Sequence, residues 1–198
     1  ARESGCFAEL LVSTDDSEIA AAAEAAGASV PWLRPADLAT DEASSVDVVM
    51  HAVDWYEAEH GPIDGVMLLQ PTSPFRTAQT MRAAVRRYVE AGCAAPVVGV
   101  SPVETHPAWT FLMSEDRLSP LLGWETLARR SQDLPPACAL NGAIYLLPPA
   151  RLRANRAFFA PDMLPLLITD RQETLDIDTA EDWQRAQGLA AGCIARQP

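Results

Sequence analysis

The chain has 198 residues and a formal net charge of −12, and all 15 of its basic residues are arginines. This acidic balance argues against nucleic acids and anionic membranes as partners, because both bind clustered positive charge. The length predicts one domain with a sizeable core, and no apolar stretch approaches the roughly 20 residues that span a bilayer.

The cysteines bear on the cellular compartment. No signal peptide is recognised, and no Cys/His ligand spacing connects the four cysteines, which are Cys6, Cys93, Cys138 and Cys193. They are expected to be reduced and mostly buried thiols of a cytoplasmic protein, and no structural zinc site is predicted.

Segments typical of helices and strands alternate along the chain. The predicted helices cover residues 17–26, 44–60, 78–91, 149–159 and 179–191, with capping boxes predicted at Ser44/Asp47 and Thr179/Asp182. The predicted strands cover residues 9–13, 65–69, 95–100, 143–147 and 174–177, with further extended segments at 29–33 and 166–169. The alternation predicts a single α/β domain, 1–198, with a mostly parallel, doubly wound sheet.

A proline-rich polar loop, Gln70-Pro71-Thr72-Ser73-Pro74-Phe75-Arg76, follows an apolar run at residues 66–69. The run is typical of a fully buried strand of a parallel sheet. Two prolines fix the backbone, so a rigid loop is predicted at the carboxyl end of that strand, where open α/β sheets bind their ligands. Its amide, hydroxyls and guanidinium indicate a site for a small anionic or polyhydroxy ligand. The alternative is an ordinary connection whose hydroxyls cap the next helix.

The sequence Asp176-Ile177-Asp178-Thr179 is the second candidate site. Side chains alternate across a strand, so a strand here places Asp176 and Asp178 on one face. Carboxylates at that spacing repel each other unless a cation lies between them, and Mg²⁺ suits such a pair. The alternative is that Asp178 or Thr179 caps the next helix while Asp176 is solvated.

Further polar and aromatic residues are candidates for the same crevice. Arg34 follows an extended segment, and Ser45 lies at the start of a helix whose N-terminal amides favour anions. Gly142 allows close approach of a ligand or backbone, Tyr145 can line a pocket, and Phe158-Phe159 can form a pocket wall or a dimer contact. A surface arginine, a capping serine and core aromatic residues are the competing interpretations.

Five motifs occur in order along nearly the whole chain. They are Val12-Ser13-Thr14-Asp15-Asp16, Leu33-Arg34-Pro35, residues 69–76, Asn141-Gly142-Ala143-Ile144-Tyr145 and Asp176-Ile177-Asp178-Thr179. Together they strongly resemble the N-acylneuraminate cytidylyltransferases, the CMP-sialic acid synthetases and their relatives for other nine-carbon sugars. The resemblance implies a Rossmann-like nucleotidyltransferase fold, a homodimer, CTP as co-substrate and Mg²⁺. In such enzymes the anomeric hydroxyl of the sugar attacks the α-phosphate of CTP, and pyrophosphate leaves.

The resemblance also implies roles for the metal-binding and nucleotide-binding residues. The D-x-D aspartates that hold Mg²⁺ in the family match Asp176 and Asp178. The arginine and the serine that contact the cytidine part match Arg34 and Ser45.

Sugar binding is assigned by the same resemblance. The loop glutamine that contacts the sugar matches Gln70, and the sugar is expected to lie over Gln70, Ser73 and Tyr145. Tyr145 and the pair Phe158-Phe159 match aromatic residues that line the acyl-sugar pocket. Some sialic acid enzymes of the family have basic residues near the positions of Trp109 and Ser131, so a legionaminate-like or pseudaminate-like acceptor is implied.

A dimer contact is expected within residues 102–165. The first candidate is the weakly periodic excursion at residues 102–136. The second is residues 149–165, whose apolar side chains exceed what an exposed loop presents. These side chains are Leu152, Phe158, Phe159, Met163 and Leu164.

Two alternative functions stay open. The family has an N-terminal strand and a Gly-rich, lysine-bearing loop that cradles the triphosphate, and the printed sequence matches neither. That difference favours a catalytically impaired dimer module that binds nucleotide or sugar. A CMP-Kdo synthetase-like enzyme with an eight-carbon acceptor is the other alternative, and the motif at residues 141–145 argues against it.

Overall fold

The computed structural model describes residues 1–194, with side chains through residue 192. In this part of the chain the α-helices are α1 (Ser17–Ala25), α2 (Ser45–His60), α3 (Ala78–Glu90), α4 (Pro149–Asn155) and α5 (Ala180–Ile194). The strands are β1 (Val66–Leu68), β2 (Val97–Pro102), β3 (Phe111–Ser114), β4 (Arg117–Pro120), β5 (Cys138–Leu147) and β6 (Leu164–Leu167). None of these helices combines the length and the apolar character that crossing a lipid bilayer requires.

The central sheet has the strand order β1-β5-β2-β6. Strand β5 pairs antiparallel with β1 and β2, whereas β2 pairs parallel with β6. Three of the four strands therefore run in one direction and β5 runs against them, so the predicted mostly parallel sheet is confirmed with one reversed strand. Strands β3 and β4 form a separate antiparallel hairpin inside the predicted excursion at residues 102–136.

Helices cover both faces of this sheet, as predicted for a doubly wound fold. Helix α3 packs on one face through Met81, Ala84 and Tyr88. Helices α2 and α4 pack on the other face, where Val53 and Leu152 are buried. The core has two parts, one on each face of the sheet, because neighbouring residues of a strand point to opposite faces. Each fully buried aliphatic side chain contributes about 1.5–3 kcal/mol to stability.

Strand β1 differs from its prediction. Its three residues, Val66–Leu68, are only partly buried, and they pair antiparallel with β5 and not with a parallel neighbour. The reason is position, because β1 lies at the edge of the four-stranded sheet. The side chains of an edge strand lack neighbours on one side.

The predicted strands at residues 9–13 and 29–33 reduce to an isolated parallel bridge between Leu11 and Ser29. The Val12 amide donates to the Ser29 carbonyl at 3.0 Å, and the Ser29 amide donates to the Leu10 carbonyl at 2.8 Å. Pro31 has no amide hydrogen, so it cannot extend the ladder.

The predicted strand at residues 174–177 is wrong. Residues 171–174 form a turn and residues 175–178 have no regular structure. The Ile177 amide donates to the Thr72 carbonyl at 2.9 Å, so this segment is attached to the proline loop and not to a neighbouring strand.

Local capping signals are mostly confirmed. The Asp16 carboxylate accepts from the amides of Glu18 and Ile19 at the start of α1. At α5, Thr179 and Asp182 form the complete predicted capping box.

The capping box predicted at the start of α2 is incomplete. Ser44 accepts from the Val46 amide at 3.2 Å. Asp47 instead forms an ion pair with Arg156, which follows α4. The Asp47 carboxylate therefore bonds to the charged Arg156 and not to the backbone amide of Ser44.

The cysteines are less buried than predicted. Cys6, Cys93 and Cys138 are free, the first two are partly buried, and Cys138 is exposed at the start of β5. The side chain of Cys193 lies outside the described residues.

Candidate active site

Three predicted residues meet around Gly142. A methyl group at this glycine would lie 3.1 Å from Gln70 Oε1, 3.2 Å from Asp176 Oδ2 and 3.2 Å from Ser73 Oγ. Side chains therefore approach Gly142 closely, whereas the predicted approach of a ligand or of backbone stays a prediction. We refer to Gln70, Ser73 and Asp176 as the polar cluster. Gln70 and Ser73 come from the proline loop and Asp176 from the segment before α5, so the fold brings together residues about a hundred positions apart.

The Asn141-Gly142 pair shapes the backbone at this point. Gly142 has a φ of 71° within β5. Asn141 is buried, and its side chain accepts from the Ala143 amide at 3.1 Å and donates to Ser101 Oγ at 3.0 Å. The register between β2 and β5 shifts beside this pair, between Val98 and Val100. Such an irregularity redirects a strand locally, and here it leaves room for the polar cluster.

Arg76 joins the proline loop to β5. Its Nη1 donates to the carbonyls of Gln70 at 2.8 Å and Ala143 at 3.1 Å. Burial lowers the pKa of Arg76 to about 10, and the negative charge of Asp176 opposes that shift. The guanidinium stays positively charged at neutral pH and attracts the carboxylate of Asp176.

The D-x-D aspartates differ in environment. Ser73 is fully buried, and its Oγ donates to Asp176 Oδ1 at 3.4 Å, which is a long and weak hydrogen bond. Asp176 is partly buried, whereas Asp178 is exposed.

The donor set can be tested against Mg²⁺. The described residues contain no group of three or more His, Cys, Asp or Glu side chains that could hold a metal ion together. Asp176 Oδ2 faces the space beside Gly142 and is left free by the hydrogen bond from Ser73, which uses Oδ1. One or two carboxylates fit Mg²⁺, which takes its remaining ligands from water and substrate phosphates.

The predicted aromatic residues pack against one another beside β5. The ring centroid of Tyr145 lies 5.5 Å from that of Phe158 and 5.7 Å from that of Phe159. Burial raises the pKa of the Tyr145 hydroxyl, and the charge of Asp176 raises it further. Tyr145 and Phe158 are core residues, each 8% exposed, whereas Phe159 is 41% exposed. Phe159 is thus the member of the pair that a ligand can reach.

Arg34 is partly buried and forms an ion pair, whereas Ser45 is exposed. The Arg34 amide donates to the Thr14 carbonyl at 2.7 Å, and its Nη2 lies 3.5 Å from Asp15 Oδ1. Arg34 Nε is buried and finds no hydrogen-bond partner among the described residues. Ser45 is exposed at the first position of α2. Over residues 1–192, no side-chain hydrogen bond connects either residue to the polar cluster.

A cleft of about 260 Å³ is lined in part by Asp176. It extends the site toward α5 and is lined mainly by charged side chains. The lining residues are Glu104, Arg171, Thr174, Leu175, Asp176, Asp182 and Arg185.

Two contributors to the site were missed in the sequence. Arg76 was recognised as part of the loop, but its bond to Ala143 depends on the neighbouring strand. Glu173 accepts hydrogen bonds from residues at the start of α3, 93 and 96 positions away. No pattern of neighbouring residues in the sequence predicts such a contact, because it forms only when two distant segments meet.

Comparison with known proteins agrees with the sequence motifs. Residues 1–133 match the cytidylyltransferase family. The chain is 38% identical over 195 residues to the CMP-N,N′-diacetyllegionaminic acid synthase of Legionella pneumophila, covering 96% of this chain and 81% of that protein. It is 27% identical over 189 residues to a pseudaminic acid cytidylyltransferase of Campylobacter jejuni, with the same coverage of 96% and 81%.

A third relative and a solved structure extend the comparison. The N-acylneuraminate cytidylyltransferase of Escherichia coli O18:K1:H7 is 30% identical over 187 residues, or 94% of this chain and 43% of that protein. The structure of a CMP:2-keto-3-deoxy-manno-octonic acid synthetase complexed with CTP superposes with a TM-score of 0.63 at 14% identity, over 94% of this chain and 82% of that one. That likeness confirms the Rossmann-like nucleotidyltransferase fold. With the family match over residues 1–133 and 38% identity along most of its length, the chain belongs to the cytidylyltransferase family, a family of nucleotidyltransferases.

Proposed function

We propose that this chain transfers the cytidylyl group of CTP to a sialic acid-like nine-carbon 2-ulosonate, giving a CMP-sugar and pyrophosphate. The observation that carries the proposal is the meeting of Gln70, Ser73 and Asp176 around Gly142. It is supported by relatives that are named for legionaminic, pseudaminic and N-acylneuraminic acids.

Arg34 and Ser45 are proposed to bind the cytidine part of CTP. Arg34 Nε is a buried donor that has no partner in the described part of the chain, and such a donor is costly unless something accepts from it. Ser45 stands at the N-terminus of α2, where free backbone amides favour carbonyl groups and anions.

Gln70 is proposed to contact the sugar, with the buried side chains of Ser73 and Tyr145 supporting the site from behind. The Gln70 amide offers a donor and an acceptor on one side chain, which suits a polyhydroxy ligand. Arg76 holds the Gln70 backbone, and two prolines stiffen the loop, so little conformational freedom is lost when the sugar binds. A fixed loop of this kind orients the attacking hydroxyl for in-line displacement. Phe159, beside Tyr145, offers an apolar wall for an acyl substituent.

Asp176 and Asp178 are proposed to hold Mg²⁺. When bound, the ion neutralises negative charge on the phosphates of CTP. Arg76 places a positive charge near Asp176, and Ser73 donates weakly to one of its oxygens, which leaves the other oxygen available.

The proposed acceptor is of the N,N′-diacetyllegionaminate type. Identity to the relative named for that sugar is 38%, against 27% and 30% for those named for pseudaminic acid and N-acylneuraminate. The side chains of Trp109 and Ser131 carry no positive charge, which is consistent with a pocket unlike that of some sialic acid enzymes.

We also propose a homodimer that uses the β3–β4 hairpin, here with the residues that follow it to position 124. Seven large apolar side chains of this region are exposed in the single chain, more than a solvated hairpin presents. They are Phe111, Leu112, Met113, Leu118, Leu121, Leu122 and Trp124. The segment at residues 149–165 is a weaker candidate than its sequence suggested, because Leu152 and Phe158 are buried in the core of their own subunit.

The test is pyrophosphate release from CTP and Mg²⁺ with four acceptors offered separately: N,N′-diacetyllegionaminate, pseudaminate, N-acetylneuraminate and Kdo. The expected result is the highest kcat/KM with the first. Preference for Kdo over all three nine-carbon acids overturns the proposed acceptor. Binding of CTP or sugar by calorimetry, without pyrophosphate release from any acceptor, favours a binding module over an enzyme.

A further inference from the structure

We propose that Glu173 is a positioning residue that holds Asp176 in the site by fixing its chain segment to the start of α3. The inference rests on the proposed function, since it concerns the placement of a carboxylate that is proposed to act there. Among the described residues, Glu173 makes no hydrogen bond to any of the three members of the polar cluster or to Gly142.

The Glu173 carboxylate accepts several hydrogen bonds with one oxygen. Its Oε2 accepts from the Thr77 amide at 3.0 Å and from Thr80 Oγ1 at 2.5 Å, and Thr77 Oγ1 lies 3.2 Å away. Thr77 is the N-cap of α3, and its hydroxyl in turn accepts from the Thr80 amide at 3.1 Å. Two elements far apart in sequence are therefore joined through one carboxylate.

This contact completes a capping box from outside the helix. In a capping box, a Glu or Gln three residues after the N-cap accepts from the amide of the N-cap residue. Thr80 holds that position in α3 and is too short to perform this role. Glu173 supplies the missing acceptor and places a negative charge at the positive end of the helix dipole.

Asp176 depends on this attachment because its segment has no place in the sheet. Residues 175–178 are irregular, so no ladder of backbone hydrogen bonds fixes them. Glu173 anchors the segment three residues before Asp176, and the Ile177 amide anchors it one residue after, on Thr72. Without Glu173 the segment loses its hydrogen bonds to the start of α3, and on that side of Asp176 the burial of Leu175 is left to hold it.

The same contact fixes the proline loop. Thr77 follows Arg76 directly, so Glu173 also sets where the loop ends and α3 begins. Ser73 lies in one of the joined segments and Asp176 in the other. Loss of the hydrogen bonds of Glu173 therefore allows Ser73 and Asp176 to move relative to each other.

The test compares Glu173→Ala and Glu173→Gln with Gln172→Ala as the matched control. Gln172 is the exposed neighbour of Glu173, and its side chain makes no hydrogen bond among the described residues. Thr80→Val is a second variant, which removes one donor while keeping the carboxylate, and it serves if Glu173→Ala fails to fold.

Amide hydrogen exchange and steady-state kinetics are the two readouts. In Glu173→Ala and Thr80→Val, exchange at residues 170–178 and at Thr77 should rise on the order of tenfold while the melting temperature of the whole domain changes little. The kcat of Glu173→Ala should fall about 10-fold to 100-fold, because displacing a reacting group by up to about 1 Å costs on the order of 100-fold in rate. KM for the sugar should change less than about twofold, because Glu173 does not contact that substrate. Glu173→Gln should recover much of the activity, since an amide oxygen still accepts from Thr77.

Three results overturn the proposal. These are unchanged exchange at residues 170–178 in Glu173→Ala, an equal loss of kcat in Gln172→Ala, and a rise in sugar KM in place of a fall in kcat. If the wild-type chain releases no pyrophosphate, the proposed function fails and the exchange measurement alone decides whether Glu173 positions the segment.

Discussion

Gly142→Ala gives the sharpest test of the site, because two separate costs are expected from one methyl group. The first cost is backbone strain, since Gly142 has a φ of 71°. The second is contact, because the methyl would lie 3.1–3.2 Å from polar atoms of Gln70, Ser73 and Asp176. All three belong to the polar cluster, so relief of the contact moves groups that are proposed to act on substrate.

Gly92→Ala is the matched control. Gly92 has a φ of 69°, nearly that of Gly142, and a methyl group there would meet no atom within 4 Å. A non-glycine residue in this left-handed region costs about 1–2 kcal/mol, so both variants should lose at least that much free energy of unfolding. For a chain of this size, each 1 kcal/mol lowers the melting temperature by about 2–4 °C.

The two variants should differ in the contact cost. Crowding a packed site adds about 1–3 kcal/mol, so Gly142→Ala should be the less stable variant. A displacement approaching 1 Å at reacting groups costs on the order of 100-fold in rate. We therefore expect Gly142→Ala to lose about that factor in kcat, whereas Gly92→Ala should keep nearly all of its activity.

The assays are urea denaturation for stability and pyrophosphate release from CTP for turnover, both measured on the two variants and the wild type. Equal turnover of Gly142→Ala and Gly92→Ala would refute the reasoning, because it would mean that the space beside Gly142 is not part of the active site. Equal stability of the two variants would show that the side chains of the polar cluster can move to make room for the methyl group at no cost in free energy.

Four further outcomes are expected. Asp176→Asn and Asp178→Asn should each lower Mg²⁺-dependent turnover by about 100-fold, and near-normal rates for both would remove their proposed role. Arg76→Ala should lower the free energy of unfolding by about 2 kcal/mol in urea denaturation, because two part-buried carbonyls lose their donor; a loss below about 0.5 kcal/mol would contradict this. Hydrogen bonds from Thr179 lower the pKa of Asp182 below its ordinary 3.8, so this cap stabilises α5 above that pH and is lost as pH falls through the lower folded value. Urea denaturation at neutral and acidic pH should show a smaller pH dependence in Asp182→Asn, and an unchanged dependence would count against the cap. Met113→Asp should convert a dimer to a monomer in light scattering, and a wild-type chain that is monomeric at micromolar concentration would end the dimer proposal.

The sequence alone determined the features that depend on residues close together in the chain. Helix starts at Asp16 and Thr179 were predicted because a cap involves residues two or three positions apart. The α/β class followed from alternating periods, and the family followed from five short motifs whose residues are fixed in order. Each of these signals is complete within a few positions, so no tertiary contact is needed to recognise it.

Tertiary structure decided which of those residues meet. The strand predicted at 174–177 failed because its apolar alternation is the same whether the segment joins a sheet or, as here, bonds to Thr72. Asp47 left its local capping role because Arg156 approaches from α4. The hydrogen bonds from Ser73 to Asp176 and from Thr77 to Glu173 span 103 and 96 residues. Contacts at such distances are set by strand order and by the packing of α3 on the sheet, and the free energy that fixes them comes from burial across the whole core.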